Sequence, residues 1–152
     1  MTLNEIGYQA KEVSRVLGTL GSREKNMGLE EAARALLEDE EEILEANRED
    51  CEKAKNGGMS QGLLDRLQLT PARVQAMADG LLQVAALEDP VGEVLSMKLR
   101  PNGLQIGQKR VPLGVIGMIY EARPNVTADA FGLCFKSGNA VILKGGSDAI
   151  RS

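Results

Sequence analysis

The chain has no histidine and no tryptophan, and only two cysteines and four aromatic residues among 152. Without histidine there is no Ser-His-Asp or Cys-His arrangement, no imidazole metal ligand and no imidazole acid–base pair in this chain. Cys51 and Cys134 are far apart and outside any paired spacing, which excludes a disulfide scaffold or a zinc knuckle. No apolar run approaches the roughly 18–20 residues that span a bilayer. The N-terminus, with Glu5, Lys11 and Glu12, has no basic-then-apolar export signal. A cytoplasmic protein is expected, with no membrane and no nucleic-acid partner.

What is present divides in two. The composition, 43% hydrophobic and 26% charged, is that of a soluble globular protein. Residues 1–60 carry 14 acidic and 8 basic residues, whereas 91–152 carry 4 and 8. Any phosphate-bearing partner is therefore expected at the back of the chain. Eight dispersed bases with little aromatic interleaving do not make a nucleic-acid surface.

The front reads as four helices. Ile6, Ala10, Val13, Val16, Leu17 and Leu20 recur at helical spacing and stop at Gly21. One long stripe runs from Leu29 to Leu44 and stops before Gly57-Gly58. Ser60 can cap a short helix over Leu63, Leu64 and Leu67, and Thr70-Pro71 opens a fourth through Val74, Met77, Leu81 and Ala85. The run Glu38-Asp39-Glu40-Glu41-Glu42 is a solvated face, because consecutive helical residues point about 100° apart and cannot converge on one metal ion. Acidic neighbours hold the Cys51 thiol protonated, so it reads as structural.

After Asp89-Pro90 the period falls from 3.6 to 2. Leu95, Met97 and Leu99 alternate with Ser96, Lys98 and Arg100, and Leu104 and Ile106 resume beyond Pro101-Asn102-Gly103. Asn-Gly between alternating runs predicts a hairpin with one apolar face packed on something. Val115–Tyr120 and Ala140–Leu143 are unbroken apolar runs, suited to a parallel sheet covered on both faces. Between them Asn125 or Thr127 can cap a helix that Gly138 closes, which gives a βαβ unit with Cys134 in its helical core.

Candidate chemistry gathers at the carboxyl ends of these two strands, where open α/β sheets bind ligands. Lys144-Gly145-Gly146-Ser147 offers a cation, close backbone approach and the N–H groups of a following helix. Tyr120-Glu121-Ala122-Arg123-Pro124-Asn125-Val126-Thr127 offers an acid, a fixed cation and an amide within five positions. The G-x-G-x-x-G fingerprint is missing, since Gly114 and Gly117 lie before and within a strand.

Together Val111–Thr127 and Leu133–Ser147, with Leu63–Leu67, Leu69–Arg73 and Asp89–Gly92, resemble the glutamate-5-semialdehyde dehydrogenase (γ-glutamyl phosphate reductase) family of the aldehyde dehydrogenase superfamily. The resemblance implies NADPH-dependent reduction of L-glutamate 5-phosphate to the semialdehyde with release of phosphate, in proline biosynthesis, by a homo-oligomer. It implies α/β architecture: residues 1–90 a helical part of the coenzyme domain, 91–112 a β-hairpin, read either as a ribbon for subunit contact or as a plain two-stranded connection, and 113–152 the start of a Rossmann-like NADP-binding sheet, incomplete here. Tyr120, Glu121, Lys144, Gly145, Gly146 and Ser147 are the implied cofactor contacts, with no metal. The superfamily's Leu-Lys-Pro-Ser-Glu segment is matched by Leu143–Ser147, and Gly145 in place of the Pro is expected to make room for a 2′-phosphate. The superfamily's Pro-Trp-Asn is not reproduced. Straight alignment puts Arg123 at the Asn position, and the reading favours Asn125 as oxyanion donor with Arg123 on the phosphate or carboxylate.

In the family the nucleophilic cysteine lies well downstream of Ser152, and Cys134 does not match its motif. The chain is thus expected to be an N-terminal fragment that does not turn over by itself. Two other readings stand beside this one: another acyl-phosphate or aldehyde dehydrogenase of the superfamily, and a truncated, non-catalytic helical interaction module.

Overall fold

The computed structural model describes residues 1–121 and 123–152; Ala122, inside the Tyr120–Thr127 motif, lies outside the described residues. Helix α1 spans Leu3–Leu17 and starts in a capping box: Thr2 Oγ1 accepts from Glu5 N while Glu5 Oε2 accepts from Thr2 N. It stops at Gly18, before the expected Gly21, which instead precedes α2 (Ser22–Glu38).

The long stripe through residues 29–44 is two helices rather than one. Asp39, with φ −96° and ψ 15°, ends α2 and begins α3 (Glu40–Asn56). A continuous helix would stack like charges three and four apart. The break places Glu40, Glu41 and Glu42 in a first turn, where the helix dipole favours them. Helices α4 (Gln61–Leu67) and α5 (Pro71–Ala86) follow, the latter capped by Thr70 Oγ1 on Arg73 N. The front therefore has five helices where four were expected.

Helix α2 lies on α5, with Leu29 and Ala33 buried against Ala78, Leu81 and Ala85. Phe131 and Phe135 of α6 (Pro124–Lys136) stack 5.3 Å apart and pack on the same cluster. A second cluster joins Leu69, Met77 and Ala128, flanked by Leu36, Ile43 and Leu44 from either side of the Asp39 break. Lys25, 1% exposed, pairs with Asp89 at 2.5 Å, and Asp89 also accepts from Val91 N and Ser22 Oγ. Burial pushes the Asp89 carboxyl up, but Lys25, Val91 and Ser22 together outweigh it and hold it below the usual range.

Strands β1 (Val94–Leu99) and β2 (Gln105–Lys109) form the predicted antiparallel hairpin, but not the predicted turn. Gly103 has φ +84° and Asn102 does not take a positive φ. Gly103 N donates to Arg100 O and Arg100 N to Leu104 O, so the loop is three residues long. That register pairs Lys98 with Ile106 and Leu99 with Gln105. Paired residues share a face, so Ile106 falls with Lys98 and away from Met97 and Leu99. The expected single apolar face does not form, and Leu95, Met97, Leu99 and Ile106 are all exposed.

Strands β3 (Val115–Ile119) and β4 (Ala140–Lys144) pair in parallel, Val115 against Ala140 through Ile119 against Lys144. Helix α1 packs on both strands and α6 on β4. Buried Asn139 sets where the pairing starts, its Oδ1 accepting from Gly114 N at 2.8 Å and its Nδ2 donating to Ser137. Gly138, at φ +73°, closes α6 as expected. The N-cap of α6 is Arg123, without a side-chain cap bond, and not Asn125 or Thr127. Pro124 takes the first helical position, where its missing N–H costs nothing, and this pushes both candidate caps inside the helix. No helix among the described residues is long and apolar enough to cross a membrane.

Candidate functional site

The residues singled out in the sequence fall into two neighbouring groups. At the carboxyl edge of the parallel pair, Tyr120 N donates to Lys144 O at 3.1 Å, continuing the β3–β4 ladder by one residue. The Tyr120 hydroxyl lies 2.6 Å from Thr127 Oγ1, which ties the ring to α6. A Cβ at Gly145 would stand 3.4 Å from atoms of the Tyr120 ring. The space on that side of Gly145 is thus filled by tyrosine, and what the glycine leaves open lies along its backbone. Lys144 is exposed and its ammonium donates to Gly145 O at 2.9 Å. Gly146 is extended (φ −68°, ψ 160°) and leads into a 3₁₀ turn, Ser147–Ala149. This turn stands where the sequence predicted a helix start, and Ser147 is exposed at its first position.

The segment after the turn is tied down from the other side. Asp50 of α3, 2% exposed, accepts at 3.0 Å from Arg151 N, Ser152 N and Ser152 Oγ through one carboxylate oxygen. Asn47, equally buried, donates to Leu67 O and accepts from Leu69 N. These two residues fix the glycine-rich turn and the α4–α5 corner to the same helix.

The second group lines a cleft of ≈ 460 Å³ between the start of α6 and the α4–α5 corner. Arg123, Asn125 and Asp129 form one wall; Asp65, Arg66 and Arg73 stand on the other, over Leu69 and Met77. Asn125 Nδ2 donates to Asp129 Oδ2 at 3.3 Å, one helical turn on, which leaves one amide hydrogen for a ligand. Arg73 is committed to its own corner: it donates to the carbonyls of Asp65 and Gln68 and faces the Asp65 carboxylate at 3.5 Å. Arg66 and Arg123 make no ion pair among the described residues, so the cleft presents two guanidinium groups to solvent.

The structure thus brings Tyr120, Lys144 and Gly145 together, and brings Arg123 and Asn125 together, but the two sets do not line one pocket. Glu121 is exposed and enters through its backbone, its carbonyl accepting from Arg123 N at 2.8 Å. Asp65, Arg66, Arg73 and Asp129 were not anticipated. They come from three elements up to 64 positions apart, and nothing in their local spacing marks them. Burial raises the thiol of Cys134, and burial followed by the Asp50 charge raises that of Cys51. Neither is poised as a nucleophile. Among the described residues no group of three or more Cys, Asp or Glu side chains is placed to hold a metal ion.

No family model matches the chain. It is 60% identical over 151 residues to the gamma-glutamyl phosphate reductase of Lachnospira eligens, covering 99% of this chain and 36% of that protein. The reductase of Moorella thermoacetica is 60% identical over 146 residues, covering 96% of this chain and 35% of that one. Among solved structures, the gamma-glutamyl phosphate reductase of Thermotoga maritima superposes with a TM-score of 0.95 at 46% identity, over 98% of this chain and 36% of its own. That of Saccharomyces cerevisiae gives 0.94 at 36% identity, over 99% and 39%. The chain spans about a third of the length of the curated relatives it matches. Over nearly all of its own length it is homologous to part of the gamma-glutamyl phosphate reductases, in agreement with the resemblance carried by its motifs.

Proposed function

We propose that this chain is the cofactor-binding portion of an enzyme that reduces L-glutamate 5-phosphate to glutamate 5-semialdehyde with NADPH, releasing phosphate, in proline biosynthesis. The observation that carries this reading is the junction of β3 with α6. It places Arg123 and Asn125 in a cationic cleft while Tyr120 reaches back over the Lys144–Gly145 turn. An acyl phosphate on one side and a dinucleotide on the other would meet across this junction.

NADPH supplies the hydride. The residues here fit such a cofactor: an exposed ammonium at a strand's carboxyl end, with extended glycine backbone beside it, suits a ribose or phosphate. Lys144, Gly145, Gly146 and Ser147 would hold it, with Tyr120 and Glu121 at the adjoining strand end. Arg123 would hold the phosphoryl or carboxylate group through its planar fork, and the free Asn125 amide hydrogen would meet the acyl oxygen as charge develops on it. The attacking thiolate would come from a cysteine outside this chain, in keeping with the two thiols here, which burial raises and, for Cys51, the Asp50 charge raises further. We place the full-length protein in the cytoplasm as a homo-oligomer, with the exposed hairpin of residues 94–109 as its subunit contact.

The test is the reverse reaction of the full-length protein: glutamate 5-semialdehyde, inorganic phosphate and NADP, followed by NADPH absorbance. Phosphate-dependent NADP reduction is expected, with Arg123→Gln raising KM for phosphate or semialdehyde about tenfold or more. Reduction that proceeds equally well without phosphate would overturn the assignment.

A further inference from the structure

The cleft beside Arg123 has a charge pattern that the reaction alone does not require. Arg73 and Asp65 offset each other, and Arg73 spends its remaining donors on the Asp65 and Gln68 carbonyls. What faces a ligand is therefore Arg66 at the end of α4, Arg123 at the entry to α6, and Asp129 one turn into α6. Two cations and one anion complement a ligand with two anionic groups and one cationic group. A bare aldehyde or acyl phosphate lacks that pattern. An α-amino acid with a second anion at its far end has it. Building on the function proposed above, we infer that Arg66 and Asp129 are the specificity-determining residues of this cleft, Arg66 taking the α-carboxylate and Asp129 the α-ammonium of the substrate while Arg123 faces its reacting end.

The division follows from the elements that carry each group. Arg123 sits at the strand-to-helix junction with Asn125, next to the cofactor edge, so the reacting end belongs there. Arg66 comes from the opposite wall, on the corner that Arg73 and Asn47 brace. Asp129 is already oriented by Asn125, and its second oxygen and remaining lone pairs are available to an ammonium.

The experiment uses the full-length protein in the phosphate-dependent reverse assay, with glutamate 5-semialdehyde and its analogue without the amino group, 5-oxopentanoate, as alternative substrates. The ratio of their kcat/KM values is the readout. Asp129→Asn is expected to lower the wild-type preference for the amino substrate about ten- to a hundredfold, by removing one charge-assisted contact. Arg66→Gln is expected to raise KM for both aldehydes together and leave their ratio unchanged, because both carry the carboxylate. Calorimetric NADPH binding checks that each variant is folded. If Asp129→Asn loses it, Asp129→Glu decides: a retained preference supports the inference and a lost one overturns it. An unchanged ratio in a folded Asp129→Asn, or an unchanged KM in Arg66→Gln, overturns it while the proposed reaction stands. Absence of phosphate-dependent turnover in the unmodified protein overturns the reaction itself, and this inference falls with it.

Discussion

Replacing Asp89 by Asn tests how the helical front is joined to the rest of the chain. Lys25 has 1% of its side chain exposed and Asp89 11%, and their charged atoms are 2.5 Å apart. At an effective dielectric of about 20 that separation corresponds to roughly 7 kcal/mol of attraction, much of it consumed by desolvating the two groups. The asparagine keeps an acceptor for Val91 N but leaves the ammonium buried and unpaired. The expected loss is about 3–5 kcal/mol, a large part of the roughly 5–15 kcal/mol that holds a domain of this size. Combining Asp89→Asn with Lys25→Met removes the stranded charge, and stability should return to within about 1–2 kcal/mol of the parent. Urea unfolding followed by circular dichroism at neutral pH measures all three proteins. The pH dependence has a definite sign. The folded Asp89 carboxyl titrates below its ordinary value of 3.8, so its contribution is full above that value and is lost as pH falls through the folded pKa. The acid limb of stability below about pH 4 should therefore be shallower in Asp89→Asn. A single variant within about 1 kcal/mol of the parent at neutral pH would refute the reasoning.

Two further outcomes are expected. A Cβ on Gly28 would stand 2.8 Å from the Phe135 ring, whereas one on Gly7 meets nothing within 4 Å. Gly7→Ala should therefore raise the melting temperature through a helix-propensity gain of about 1 kcal/mol. Gly28→Ala should lower it, because overpacking costs about 1–3 kcal/mol against the same gain; shifts of equal sign and size would count against the packing. Both cysteines should alkylate slowly at neutral pH, with rate profiles displaced above the ordinary thiol value of 9.0 and full reactivity only on unfolding. Rapid labelling of native Cys134 by iodoacetamide would contradict its burial.

Much of the fold was legible because its signals are local. Thr70-Pro71 spells a helix start, and the apolar runs at 115–119 and 140–143 the parallel pair, although the expected cover on both faces does not form: Ala140 alone of the two strands is buried and Ile119 is 86% exposed. The errors came where two local signals compete and distant packing decides. Residues 29–44 fit one helical stripe, yet the chain breaks at Asp39 so that Leu36 and Ile43 both reach the Leu69–Met77–Ala128 cluster. Asn102-Gly103 fits a two-residue turn, yet the loop takes three residues, and a slip of one position exchanged the faces of the second strand.

The sequence alone determined the order of helices, hairpin and strand–helix–strand unit, and the motifs that carry the resemblance to gamma-glutamyl phosphate reductases. These depend on periodicity, capping and turn chemistry, which act over a few neighbouring residues. Only the tertiary structure decided that Arg66 and Asp129 share a cleft with Arg123, that Tyr120 folds over Gly145, and that Asp50 holds the chain at Arg151 and Ser152. It also decided that Lys136 buries its ammonium against Asn26 and the carbonyl of Ala85, joining α2, α5 and α6. Each of these contacts joins residues that only the packing of helices around shared apolar clusters brings within reach. Their charges and hydrogen bonds have no periodic signature, because a polar contact is set by the position of its partner and not by its own place in the chain.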